Sequence, residues 1–378
     1  MAAMTGGDII VIGGGLAGAA FAIELARNGC RVTLLERSRA PGLKVCGDFL
    51  SGEALDLLAG LGFDPGHLGA TPIGRMTLSG GGRQATTALP FHAAGLSRSR
   101  LDEALLAGAA RSGVNVLRGI TATDLNSDGT LTRVDTAATS FSAKAVALAT
   151  GKHNLRGWRR ANGAVTAFKI QFALSEAATA DLAGGVQLAL FEGGHIGACL
   201  IENDLATICW QIETSRLKDL GADWREQLAG SIRDTPIFRD LLAGSKPVQS
   251  RPAAISNLPF GYVRKTPIAR NVFPIGDQMA VIPSFTGNGT AIALSSGLRA
   301  ARAHLRGESA IDYQADFARR IRRQFALSSG INRIFQTRIG RSVGIGTLRA
   351  IPSLAMGLAR ITRHDMATHS DGQNPLPL

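Results

Sequence analysis

The chain has 378 residues and is 45% hydrophobic, enough for a sizeable core and for about two domains or one elaborated one. Aromatic residues make up only 5% of it, which argues against a protein that reads single-stranded nucleic acid by base stacking. The 41 Lys and Arg against 29 Asp and Glu leave a net charge of +12, and no apolar run approaches the ~20 residues of a membrane-spanning helix.

Residues 1–7 lack the basic and apolar regions of a signal peptide, so a cytoplasmic protein is expected. Cys30, Cys46, Cys199 and Cys209 have no metal-ligand spacing and read as free thiols in a reducing compartment.

The stretch from Asp8 to Arg37 carries the strongest signal. Ile9 to Ile12 is a short apolar run that reads as a buried parallel strand. Gly13, Gly15 and Gly18 follow at G-x-G-x-x-G spacing. The first suits a tight turn, the second a close approach to a pyrophosphate, and the third close packing of helix on strand. Leu16 and Ala17 open a helix that runs to Asn28 and is ended by Gly29, and Arg31 to Leu35 is a second strand closed by Glu36. Glu36 stands where a carboxylate accepts from an adenosine ribose. A ribose phosphate would meet like charge there, which favours FAD or NAD over NADP.

Ala40 to Leu50 reads as a loop that gathers Lys44, Cys46, Gly47 and Asp48. A short helix over Glu53 to Leu61 comes next, then a hairpin from Arg75 to Leu89 around Gly80, Gly81 and Gly82. Ser97 to Ser112 is a helix with a capping serine that carries Arg98. Val114 to Leu117 is a strand. Thr121 to Leu125 pairs with Leu131 to Asp135 across a turn at Asn126 to Gly129. Ala143 to Ala149 is an apolar strand running into Thr150 and Gly151.

From Thr166 the pattern changes to strict alternation, with Phe168, Ile170 and Phe172 on one face and Lys169 and Gln171 on the other. Val186 to Phe191, Ile196 to Ile201 and Leu205 to Ile212 are further strands. Together they predict an antiparallel sheet with one covered face. The phenylalanine face is expected to pack on the helical stretch from Arg216 to Gly244. Asn271 to Ile275 is again an apolar strand, ending at Gly276 and Asp277, and the run Thr286-Gly287-Asn288-Gly289 opens a helix to about Leu305. The tail reads as basic helices broken near Gly330, Gly340 and Pro352. From Arg306 onward eleven basic residues face five acidic ones, half of the net charge. Solvated helix faces, an acidic carrier protein or an anionic membrane surface all suit that excess.

Three separated stretches resemble the FAD-dependent oxidoreductases of the aromatic hydroxylase and geranylgeranyl reductase superfamily. They are the glycine run with Glu36, the stretch LSRSRLDEALL with Arg98, and PIGDQMAVIPSFTGNGTAIALSSG with Gly276 and Asp277. The resemblance implies an α/β fold: a Rossmann-like FAD-binding domain of the aromatic-hydroxylase type, assembled from residues 1–74, 95–155 and 265–305. An inserted antiparallel sheet domain for substrate would take residues 75–94 and 156–264, and a basic helical segment residues 306–378. It implies a cofactor site of Gly13, Gly15, Leu16, Ala17, Gly18, Glu36, Arg37, Lys44, Arg98, Ala122, Gly151, Gly276, Asp277, Gly287, Asn288 and Gly289. Arg98 would serve the pyrophosphate or ribityl chain and Asp277 the ribityl hydroxyls. Free N–H groups at the helix start after Gly287 would face the anionic edge of reduced flavin.

The loop KVCGDFLS is similar to the place where geranylgeranyl reductases carry Cys-Gly beside the flavin. Cys46 and Lys44 are therefore the catalytic candidates, against the plainer readings of a small filler and a solvated charge. His92 and His195 could face the substrate or be structural. Ala149-Thr150-Gly151 stands where hydroxylases of the family carry Asp-Gly, which bears on the use of NADH or NADPH as reductant. Trp158, Trp210 and Trp224 are isolated, so the Trp-x-Trp-x-Ile-Pro halogenase signature is absent and halogenation is a minor reading.

The first expectation is a monooxygenase working through a flavin C4a-hydroperoxide on an aromatic or lipophilic small molecule, free or carrier-bound. A reductase or dehydrogenase acting on a carbon–carbon bond is the alternative. A flavin-bound relay protein without turnover is the third. No nucleic-acid partner and no metal are expected.

Overall fold

The computed structural model describes residues 4–5, 8–266, 269–351, 353, 354 and 357. The break expected near Pro352 and the chain beyond 357 lie outside the described residues. Strand β1 (Ile9–Ile12), helix α1 (Leu16–Arg27) and strand β2 (Val32–Glu36) open the fold. Helix α2 (Gly52–Gly60), strands β3 (Thr71–Gly80) and β4 (Arg83–Gly95), helix α3 (Arg98–Arg111) and strands β5 (Asn115–Arg118) and β6 (Ala145–Leu148) follow. Next come β7 (Val165–Ala173), β8 (Gly185–Phe191), β9 (Gly194–Leu200) and β10 (Leu205–Glu213). Helices α4 (Trp224–Ile232) and α5 (Pro236–Leu242), strand β11 (Val272–Pro274) and helices α6 (Gly289–Leu305), α7 (Ala310–Gln336) and α8 (Arg338–Ala350) complete the main elements.

Five parallel strands in the order β11-β6-β1-β2-β5 form the nucleotide-binding sheet. Its inner strands are buried throughout and mostly apolar because both faces are covered. Helices α1, α3 and α6 pack on Ile9, Val11, Leu34 and Ala147 from one side. From the other, a small sheet of residues 4–5, 122–127, 132–136 and 140–143 brings Leu125, Val134 and Phe141 onto Ile10, Leu35 and Val146. Gly18 has no room for a side chain, since a Cβ there would lie 2.0 Å from the Gly13 carbonyl oxygen. Helix α6 approaches α1 as closely, with Gly297 against the Ala17 carbonyl.

The second large sheet runs β7-β10-β9-β8-β3-β4, with short strands at its edges. Two expectations are corrected here. The sheet is mixed, because β3 lies parallel to β8 and joins the hairpin β3–β4 to the later meander. It is also covered on both faces. Phe168, Ile170 and Phe172 pack on Leu228, Ile232, Phe238 and Leu241 of α4 and α5, as the alternation predicted. The opposite face, with Lys169 only 1% exposed, looks back at the nucleotide-binding half.

The tail also departs from expectation. Helix α7 runs unbroken through Gly330, anchored by Tyr313, Phe317, Ile321 and Phe325. A helical glycine costs only about 1 kcal/mol, which such burial offsets. The break falls at Thr337, whose hydroxyl accepts from the Gly340 N–H at 3.0 Å and starts α8. Among the described residues no helix is long and apolar enough to cross a membrane.

Candidate active site

A cavity of about 370 Å³ lies between the two sheets. Strand β1 ends at Gly13, whose φ of +110° turns the chain sharply. Gly15 then caps α1 without a side-chain hydrogen bond, so the first N–H groups of that helix are left for a ligand. Gly15, Leu16 and Ala17 line the cavity. Gly13 and Gly18 shape the turn from behind and do not line it. Glu36 is buried at the end of β2, where Oε2 accepts from the Gly14 N–H at 2.7 Å and Oε1 from the Ser38 N–H at 2.8 Å. It braces the glycine loop directly. Arg37 is exposed, 2.8 Å from the His153 ring. Ala122 sits in the small sheet against the apolar cluster around Leu35, away from the cavity lining.

Arg98 reaches the cavity from the first turn of α3, which Ser97 caps as predicted. Its guanidinium grips Asp102 through two bonds of 2.9 and 3.1 Å, and Lys44 Nζ joins the same carboxylate at 2.7 Å. Burial alone would raise the Asp102 carboxyl, but the charges of Arg98 and Lys44 outweigh it and hold the group below the usual carboxylate range. Lys44 therefore belongs to this ion cluster and lies outside the cavity lining. Cys46 does line the cavity, within hydrogen-bonding reach of Arg98. Lys152 lines it too and donates to the Val45 carbonyl. Arg98 and the N-terminus of α1 thus meet at one end of the cavity, with Arg98 Nη2 3.6 Å from where a Gly15 Cβ would lie, an arrangement suited to an anion such as pyrophosphate.

The third stretch closes the site. Gly276, at φ +59°, donates its N–H to Ser296 Oγ at 2.8 Å, and Asp277 beside it lines the cavity. The Gln278 amide holds the carbonyls of Gly151 and His153 at 2.9 and 2.8 Å, fixing Gly151 in the wall. Gly287 is left-handed, and a Cβ there would meet the Phe49 ring at 2.9 Å. Gly289 and Thr290 open α6 at the cavity, while Asn288 is buried behind them.

The remaining wall is the second sheet's inner face. Ala167, Met76, Leu78, Val186, Leu188 and Leu190 make it apolar. Cys209 also lies there, its thiol pushed up to about 12 by burial, so it stays protonated. One polar cluster interrupts this wall. Ser284 Oγ donates to Gln211 Oε1 at 2.6 Å and lies 3.0 Å from His195 Nε2. Exposed His92 is not part of the lining.

Burial holds His195 neutral, with its pKa down from 6.5 to about 4. The unfolded chain takes up a proton there as pH falls through 6.5, whereas the folded chain does so only near 4. Folded stability should therefore fall across that window, by on the order of 3 kcal/mol from this group at its lower end, and not above it. His195→Gln should flatten this acid limb in urea unfolding between pH 7 and pH 4.5. Parallel curves for the two proteins would count against a buried neutral histidine.

The sequence did not reveal the anchor beneath the Cys46 loop. Asp48 has a left-handed φ of 55° and a fully buried carboxylate. It accepts from Lys169 Nζ, from Thr207 Oγ1 at 2.6 Å and from the Arg98 N–H at 3.2 Å. Lys169 thus faces inward as the alternation required, yet it serves the loop and not the cavity. Ile331 and Phe335 of α7 and Leu348 of α8 also line the cavity, which the tail's composition did not reveal. The four cysteines are free, and among the described residues no group of side chains could hold a metal ion.

A parallel sheet carrying this glycine loop is thus joined to a mixed sheet across the cavity. The FAD dependent oxidoreductase family profile matches residues 8–45. Flavin-dependent halogenases are among the solved structures that share this fold. The flavin-dependent brominase Bmp2 superposes with a TM-score of 0.76 at 17% identity, over 94% of this chain and 93% of that one. The myxobacterial chondrochloren halogenase CndH gives 0.75 at 20% identity, over 95% and 92%. A flavoprotein/dehydrogenase from Cytophaga hutchinsonii gives 0.73 at 16%, over 87% and 86%. No curated protein matches the chain in sequence.

Proposed function

We propose that this chain is an FAD-dependent oxidoreductase that oxygenates an aromatic or otherwise lipophilic small molecule. The observation that carries this reading is the cavity between the two sheets, which runs from the N-termini of α1 and α6 to an apolar sheet face. The residues present fit FAD. The N–H groups of Leu16 and Ala17, with Arg98, would hold the pyrophosphate, and Asp277 the ribityl hydroxyls. Each oxygen of Glu36 already accepts one backbone donor and keeps a second lone pair for the adenosine ribose. Bound FAD would supply the two-electron and oxygen chemistry. The chain's own contribution would be the positive end of α6, facing the bound group, and the exclusion of water by Met76, Leu78, Leu188 and Leu190. Neutral His195, with Ser284 and Gln211, gives the substrate one polar point of attachment.

A second reading, reduction of a carbon–carbon double bond, is favoured by one observation: Cys46 lines the cavity beside Arg98. One experiment separates the two. The flavoprotein is reduced with NADH or NADPH and mixed with a panel of lipophilic phenols and unsaturated lipids, with and without oxygen. Oxygenation predicts label from isotopic oxygen in the product and little effect of Cys46→Ser. Reduction predicts anaerobic reoxidation by the unsaturated compound, slowed ~100-fold or more by Cys46→Ser, the scale of one positioned acid or base. Purified protein that takes up no FAD would defeat both.

A further inference from the structure

We propose that the outer face formed by the C-terminal half of α7 and by α8 docks on an anionic lipid bilayer. Six of the nine large apolar side chains exposed among the described residues sit on this short stretch: Leu327, Ile334, Ile339, Val343, Ile351 and Leu354. Ile339 is 77% exposed and Val343 62%, a concentration that marks an interaction surface.

Helical geometry orders them. On α8, Arg341, Ile345 and Leu348 form the inward stripe, with Ile345 packed on Leu78 and Leu190. Ile339, Val343 and Ala350 fall on the opposite side at a period of 3.6 residues. On α7, Arg323, Leu327 and Ile334 share one exposed stripe at i, i+4 and i+11.

Charge selects the occupant. From Phe317 to Ile351 the chain holds eight arginines and no Asp or Glu. Arg322, Arg323, Arg333, Arg338 and Arg349 are exposed beside the apolar residues. A two-fold contact with a second copy would set this positive surface against itself. An anionic bilayer satisfies both features, taking up the apolar side chains while the guanidinium groups meet lipid phosphates. The inner sides of the same helices carry Ile331, Phe335 and Leu348 into the cavity wall. Docking would therefore bring the cavity to the edge of the hydrocarbon, where a lipophilic substrate resides.

The test is co-sedimentation of the full chain with vesicles of phosphatidylcholine alone or mixed with phosphatidylglycerol. Binding is expected to the anionic vesicles and to fall with salt. Ile339→Ser combined with Val343→Ser should lower it at least ~10-fold, because two apolar side chains no longer leave water. Arg323→Gln combined with Arg338→Gln should weaken it and reduce its salt dependence. All four side chains are exposed, so melting temperature and flavin content should stay at wild-type values and serve as the folding control. Absence of binding to anionic vesicles overturns the proposal. So does a serine variant that binds fully, or one that only turns a dimer into a monomer in light scattering. None of these results bears on flavin binding, so the site reading is tested separately.

Discussion

A Gly15→Glu variant should fold normally and purify without flavin. Gly15 has an ordinary φ of −76°, and a Cβ there meets only Arg98 Nη2, at 3.6 Å. The chain itself therefore tolerates a side chain at this position. The added carboxylate would reach Arg98 and lie over the N-terminus of α1, where the pyrophosphate is proposed to bind. Like charges brought together at a binding site cost several kcal/mol, so FAD affinity should fall on the order of 100-fold or more. The neighbouring glycines behave differently. A side chain at Gly13 would lie 2.4 Å from the Ala149 carbonyl oxygen, and one at Gly18 2.0 Å from that of Gly13. Gly18→Ala should lower the stability of the whole sheet, while Gly15→Glu acts on the ligand alone. Flavin absorbance per chain and thermal unfolding, measured together, check this. A Gly15→Glu protein with full flavin content would remove the site from this helix.

What could be read from the sequence was local. The strand β1, the glycine turn, the capped helix α3 and the hairpin β3–β4 each depend on residues within one or two turns of each other. Propensity, capping and period report such features directly. Of the positions that the resemblance implied, Gly15, Leu16, Ala17, Arg98, Gly276, Asp277, Gly287 and Gly289 within its three motifs line the cavity, and so do Cys46 and Gly151 outside them, while Gly13, Gly18 and Asn288 do not. What could not be read was long-range. The parallel contact of β3 with β8 joins residues more than 100 positions apart, and nothing in either strand's pattern names its partner. The same holds for Ile331, Phe335 and Leu348, whose place in the wall depends on how α7 folds back. Lys44 shows the limit of reasoning by proximity in sequence. It stands two residues from Cys46, yet its ammonium is directed to Asp102 by a contact 58 residues away.

Asp48 and Lys169 are the clearest long-range pair, 121 residues apart and both almost fully buried. Removing one partner should leave the other charged in a dry site. Lys169→Met is expected to destabilise the protein by about 3–5 kcal/mol, and Asp48→Asn by a similar amount. Asparagine keeps the left-handed backbone that residue 48 needs, so the cost of that change comes from the stranded lysine and not from strain. Combining the two changes should recover a large part of the loss, because no isolated charge then remains buried. Chemical denaturation of the four proteins completes the cycle. The pair also has a functional reading, since Asp48 ties the loop carrying Cys46 to β7, to Thr207 on β10 and to the start of α3. Freed from that anchor, the loop should let water reach the end of the cavity where the flavin is proposed to bind. The double variant should then keep its FAD but lose coupling between flavin reoxidation and product formation. Single variants that each cost under about 1 kcal/mol would indicate a solvated pair and leave the position of Cys46 without this support.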